Sequence, residues 1–83
     1  MLRIESVMTG EHEATVRATG RLAGPWVAEL QRSLASRDHR GPVVLDLTDV
    51  TYVDRAGIDF LRALRHDARI LLRCSAFVAE QLT

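Results

Sequence analysis

The chain has 83 residues, eleven basic against eleven acidic, and is 47% hydrophobic, so it is neutral with enough apolar content for one small core. Zero net charge excludes the broad basic field that non-specific nucleic-acid or anionic-membrane binding needs, and no apolar run approaches the roughly 18 residues of a membrane span. Every basic residue is arginine, which excludes a Walker A loop, a Schiff-base lysine and a receiver-domain lysine.

Residues 2–8 alternate, with Leu2, Ile4 and Met8 on one side and Arg3, Glu5 and Val7 on the other. Residues 13–22 alternate more cleanly. Ala14, Val16, Ala18 and Leu22 share one face, while Glu13, Thr15, Arg17, Thr19 and Arg21 share the other. Period two with one polar face predicts half-exposed strands. Thr9-Gly10-Glu11-His12 between them predicts the turn of an antiparallel hairpin. Gly24-Pro25 then opens a helix, because proline at the first helical position gives up an N–H that would be unpaired anyway. Val27, Leu30 and Leu34 follow at helical spacing, and the polar stretch from Ser36 to Gly41 before Pro42 ends it.

Val43 to Leu47 is apolar enough for a central strand, followed by a short polar loop up to Asp54. Asp54 is a good N-cap for a second helix whose apolar stripe is Ile58, Leu61 and Leu64, with Arg62, Arg65 and Arg69 outward. Asp59 and Arg62 are three apart and suited to a weak ion pair. Residues 69–73 predict another apolar strand. Ser75 can cap a last helix carrying Phe77, Val78 and Leu82. The order is β-β-α-β-α-β-α. Two connections of about twenty residues, each holding a helix, suit parallel crossovers. The expected fold is α/β: a four-stranded mixed sheet, its first strand antiparallel at one edge, with the helices mainly on one face. A single domain spanning 1–83 is expected. With no apolar segment after a basic start, a soluble cytoplasmic protein is the default.

Few residues carry a chemical signal. Asp46 near a strand end raises a phosphoaspartate receiver, but that chemistry needs an acidic Mg²⁺ cluster and a lysine. An ion pair with Arg17 or Arg21, or bracing of the loop, is the better reading. His12, His39 and His66 share no metal-ligand spacing. No Gly-x-Ser-x-Gly elbow is present, and Gly20-x-x-x-Gly24 marks a strand end rather than a phosphate loop. Cys74, the single cysteine, reads as a small buried hydrophobe. Trp26 either packs under the first helix or anchors a partner. No catalytic residue, metal or cofactor is expected.

The run from Val43 through Asp46, Thr48, Asp49 and Asp54 to Ile58 resembles the central signature of the STAS family (sulfate transporter and anti-sigma factor antagonist domains). In many such domains the strand and loop end in Asp-Ser-Ser-Gly, and the second serine is a kinase target. The corresponding residues here are Asp54, Arg55, Ala56 and Gly57, so the phosphoacceptor position is Ala56 and has no hydroxyl. The segment from Ala18 through Gly20, Arg21, Leu22, Ala23 and Gly24 to Trp26 is similar to the family's passage from strand two into helix one, with Ala23 in place of the usual acidic residue. Arg69-Ile70-Leu71-Leu72 and its capped helix resemble the end of the domain. Family members usually continue through a longer C-terminal helical region, so the domain is short at that end.

The resemblance implies a protein-interaction module that performs no chemistry. Its contact surface would be Asp54, Arg55, Ala56, Gly57 and Ile58, with Thr48, Asp49, Gly20, Arg21 and Trp26 beside them. The partner implied is an anti-sigma factor of the serine-kinase type. Alternatives are the ATPase of an ABC-type lipid transporter, whose STAS subunits also often lack that serine and place threonine one residue earlier, where this chain has Arg55, and a small-ligand or nucleotide sensor using the helix N-terminus as an anion site. Neither nucleic acid nor direct membrane insertion is expected, and a homodimer stays open. Arg55 is either a solvated neighbour of Asp54 and Asp59 or a fork-shaped donor to a partner carboxylate. Thr48, Thr51 and Tyr52 are the remaining hydroxyls able to replace the missing phosphosite.

Overall fold

A computed structural model describes residues 2–8, 14–35 and 42–83. The hairpin turn expected at 9–12 and the helix end expected at 36–41 lie outside these residues, as do His12, Glu13 and His39. The elements are β1 (Leu2–Met8), β2 (Ala14–Leu22), α1 (Pro25–Ala35), β3 (Val43–Val53), α2 (Arg55–Leu64), β4 (Ile70–Cys74) and α3 (Ala76–Leu82). The four strands form one sheet in the order β1-β2-β3-β4, with β1 antiparallel to β2 and the other two pairs parallel. This is the mixed sheet that the periodicity predicts.

One face of the sheet meets the helices. Leu2, Val16, Ala18, Leu22, Leu45 and Leu47 form the core with Leu30 of α1, Leu61 of α2, and Val78 and Leu82 of α3. The outward parities, Arg3, Glu5, Val7 and Arg17 among them, stay exposed on the other face. Burying a leucine side chain is worth about 1.5–3 kcal/mol, so fully buried Leu45 and Leu47 are major stabilising residues.

Three expectations are corrected. The segment 48–53, read as a loop, continues β3, and the strand runs eleven residues from Val43 to Val53. Two register irregularities against β2, between Arg17 and Thr19 and between Gly20 and Arg21, explain why. Each gives β3 one more residue than β2 over the same span. A bulge turns the strand so that Leu47, Val50 and Val53, spaced by three, all reach the core side. A three-residue spacing breaks the period two by which a strand is recognised.

The second correction concerns the arginines. Helix α2 stops at Leu64, so Arg69 is not part of its outer row. The chain tightens through His66 N–H to Ala63 O at 3.2 Å and Asp67 N–H to Leu64 O at 3.0 Å. The Asp67 carboxylate then accepts from Arg69 N–H at 2.9 Å, a local bond that competes with further helix. Arg65 donates to Leu82 O at 2.8 Å and Arg62 to Thr83 O at 3.3 Å, tying α2 to the end of α3. Arginines there satisfy carbonyls that a helix end leaves without partners. The third correction is Phe77, which is 42% exposed; Val78 and Leu82, one turn apart, form the inner side of α3.

Candidate protein-docking site

The sequence places Asp54 between a bulged strand and a helix, and the backbone there is extended (φ −85°, ψ −179°) as an N-cap requires. Its carboxylate works in two directions. Oδ1 accepts from Gly57 N–H at 2.8 Å, inside the first turn of α2. Oδ2 accepts from Gly24 N–H at 2.8 Å, thirty residues away at the start of α1. The Asp54 backbone N–H donates to Leu22 O at 3.2 Å. One side chain thus locks the β2–α1 turn to the α2 start. Gly24 reaches this position with φ +57°, the left-handed region that glycine enters without strain. The N–H donors of Gly24 first, and then Gly57, hold the Asp54 carboxyl below its ordinary range, so it is a carboxylate at neutral pH.

Gly57 is buried, and the backbone it admits belongs to its own chain. A Cβ there would lie 2.7 Å from Val53 Cγ1 and 2.8 Å from Leu22 O. Gly57 seats α2 on the sheet ends rather than offering a surface. Arg55 and Ala56 form the exposed tip. The Arg55 side chain is 86% exposed, with Nε 3.4 Å from Asp59 Oδ1 one turn on. Asp59 therefore pairs with Arg55 rather than with Arg62. Ile58 is half-buried and packs on the core edge.

The flanking residues divide into two groups. Gly20, Arg21 and Trp26 lie at the β2 exit and the first turn of α1, beside the tip. Trp26 is half-buried against the core, as the packing reading expects. Arg21 stacks over the Tyr52 ring at 4.6 Å, bringing an exposed arginine and an exposed tyrosine to the rim. Tyr52 is absent from the expected contact set. Only the shifted register, which pairs Arg21 with Tyr52, puts it there. Thr48 and Asp49 are exposed but lie further back along β3.

Thr48 has an internal task. Its hydroxyl and its N–H both donate to Asp46 Oδ1, at 2.7 and 3.0 Å. Those bonds, the hydroxyl's first, hold the buried Asp46 carboxyl below its ordinary range. Arg17 stands 3.6 Å from Asp46 Oδ2, so Asp46 both forms an ion pair and braces the strand. The Thr51 hydroxyl donates to Gly20 O at 3.2 Å. Cys74 is half-buried at the end of β4, and burial pushes its thiol up.

Among the described residues no group of three or more His, Cys, Asp and Glu is placed to hold a metal ion, and no helix is long and apolar enough to cross a membrane. A shallow groove of about 450 Å³ lies elsewhere, between β4 and α3, lined by Arg65, Leu72, Cys74 and Leu82 among others.

Comparisons with known proteins agree with this arrangement. No curated protein matches the chain. The crystal structure of an antisigma-factor antagonist, a STAS domain from Rhodobacter sphaeroides, is similar in fold, with a TM-score of 0.59 and 17% identity over 99% of this chain and 91% of that one. The family model described as "Mlab, STAS domain" matches residues 6–73, from within β1 into β4, and so includes the Asp54 clamp and the α2 start. The chain belongs to the STAS family.

Proposed function

We propose that this STAS domain is a protein-interaction module of the anti-sigma factor antagonist kind, docking a regulatory protein through the α2 start without a phosphoserine switch. The observation that carries the reading is the exposed Arg55–Ala56 tip on a scaffold locked by Asp54. A rigid, solvent-facing tip loses little conformational freedom on binding. Ala56 provides no hydroxyl. Those of Thr48 and Thr51 are held in internal bonds to Asp46 and Gly20. In a relative with serine at this position, phosphorylation would add about −1.5 to −2 charge and repel an acidic partner; here position 56 takes no such charge, and Tyr52 is the exposed hydroxyl left at the rim. Arg55, Ala56 and Ile58 make the contact, Arg21, Tyr52 and Trp26 flank it, and Asp54 and Gly57 position it.

Capture from the native cell tests this. Tagged wild-type protein should retain a serine-kinase-type anti-sigma factor, and Arg55→Glu and Ala56→Trp should both lose it with unchanged circular dichroism. Retention by both variants would refute the docking surface. Reproducible phosphate on residues 48–56 would refute the absence of a switch. A second reading is a subunit that regulates an ABC-type lipid transporter by docking its ATPase; it shares the missing serine at 56 but has Arg55 where such subunits often carry threonine. Capture of an ATPase instead of an anti-sigma factor selects it.

A further inference from the structure

Among the described residues no helix covers one face of the sheet, and that face is ordered in rows. Register places Val7, Thr15, Val44 and Leu71 side by side across β1, β2, β3 and β4. The next row toward the docking end is Glu5, Arg17, Asp46 and Arg73. Paired residues point to the same side of a sheet, so both rows lie on this face. Val7 is 55% and Leu71 61% exposed, two of the four large hydrophobic residues left in solvent among the described residues. The charged row alternates in sign: minus, plus, minus, plus. With Arg3, Arg21 and Asp49, the described residues of the face bear four positive and three negative side chains, close to balance.

This pattern is self-complementary under one symmetry operation. A two-fold axis parallel to the strands, lying between two such faces, sets β1 over the other copy's β4 and β2 over its β3. Each row then meets itself reversed. Glu5 faces Arg73 of the second copy and Arg17 faces its Asp46; Val7 faces Leu71 and Thr15 faces Val44. Each charge of that row meets its opposite, and the row of Val7, Thr15, Val44 and Leu71 meets itself. Aligned packing of two twisted sheets, about 10 Å apart and at about −30°, accommodates that geometry. A strongly acidic or basic partner finds no matching field on a face whose charges alternate and nearly balance. The four-strand width is about 19 Å and the ordered length about 16 Å, roughly 300 Å² of projected area per copy. That is well below the about 800 Å² per partner of a standard stable interface, so association is weak and concentration-dependent.

We propose that the uncovered sheet face is a homodimer interface, isologous about a two-fold axis along the strands, which leaves both Arg55–Ala56 tips free on the opposite side. In one chain Glu5 and Arg73 lie on opposite edge strands, three strand spacings or about 14 Å apart, so they have no direct contact to lose. Sedimentation velocity from about 10 µM to 1 mM should show a saturable monomer–dimer equilibrium with half-association at about 100 µM or above, as befits a small interface. Glu5→Arg alone and Arg73→Glu alone should each shift the midpoint at least tenfold higher. The double variant Glu5→Arg/Arg73→Glu should return it toward wild type. Leu71→Lys, on the same face, should also abolish association. A wild type monomeric at all concentrations, open-ended aggregation, or a double variant no better than the singles would overturn the proposal. Circular dichroism confirms that each variant is folded; all three positions are solvent-exposed.

Discussion

Gly57→Ala tests how α2 is seated. In a helix of free-standing peptide the change is favourable, by up to about 1 kcal/mol, because alanine is the better helix former. Gly57 has no positive φ, so backbone conformation does not oppose alanine. Space does. The added methyl would meet Leu22 O at 2.8 Å and Val53 Cγ1 at 2.7 Å. The valine methyl can turn aside, but the Leu22 carbonyl belongs to the backbone of a central strand and accepts from Asp54 N–H. The helix start must lift by several tenths of an ångström, which strains the Asp54 clamp. Overpacking of this kind costs about 1–3 kcal/mol. Set against the propensity gain, the net loss is up to about 2 kcal/mol. At about 4–8 °C per kcal/mol for a domain this size, Tm should fall by up to roughly 15 °C. Thermal unfolding followed at 222 nm measures it, with Ala56→Gly as the neighbouring control: that position is exposed, so only the propensity loss of about 1 kcal/mol applies. A Tm for Gly57→Ala equal to or above wild type would refute the close-packing account.

Four further outcomes follow from the same contacts. Gly24→Ala has open space around the new methyl but must hold φ +57°, so urea unfolding should show a loss of about 1–2 kcal/mol. Leu45→Ala, in the fully buried centre, should cost about 2–5 kcal/mol by the same measurement. Ala56→Ser, on the exposed tip, should leave stability within about 0.5 kcal/mol of wild type and create a phosphoacceptor, read by mass spectrometry after treatment with a serine-kinase-type anti-sigma factor. Acid should destabilise the fold: Asp46 and Asp54 are held below the ordinary carboxyl value of 3.8, so the unfolded chain binds more protons as pH falls through that value. Their stabilisation is full above about pH 5 and is lost progressively below it. Asp46→Asn, which keeps an oxygen for Thr48, should flatten that decline in pH-dependent urea midpoints.

Much of this protein is local and therefore readable in order along the chain. The β1–β2 alternation, the Gly24-Pro25 helix start, the Asp54 cap and the Ser75 cap each act within a few residues, where side-chain period and hydrogen-bond chemistry decide the backbone. Ser75 does accept from Val78 N–H, at 3.2 Å, and Asp54 from Gly57 N–H. The missing hydroxyl at Ala56 is a matter of sequence alone.

What spans two strands was not readable, because alternation tells each strand its faces and nothing about its neighbour's register. The bulges that carry β3 on to Val53 exist only against β2, and without them residues 48–53 look like a loop. Arg21 finds Tyr52, and Asp54 finds Gly24, through that shifted pairing across about thirty residues of chain. Gly57 looks like an opening for a partner until Leu22 is seen beneath it. Likewise the row Glu5, Arg17, Asp46, Arg73 is four unrelated charges in the sequence and one alternating line in the sheet, since only tertiary pairing sets separate strands side by side.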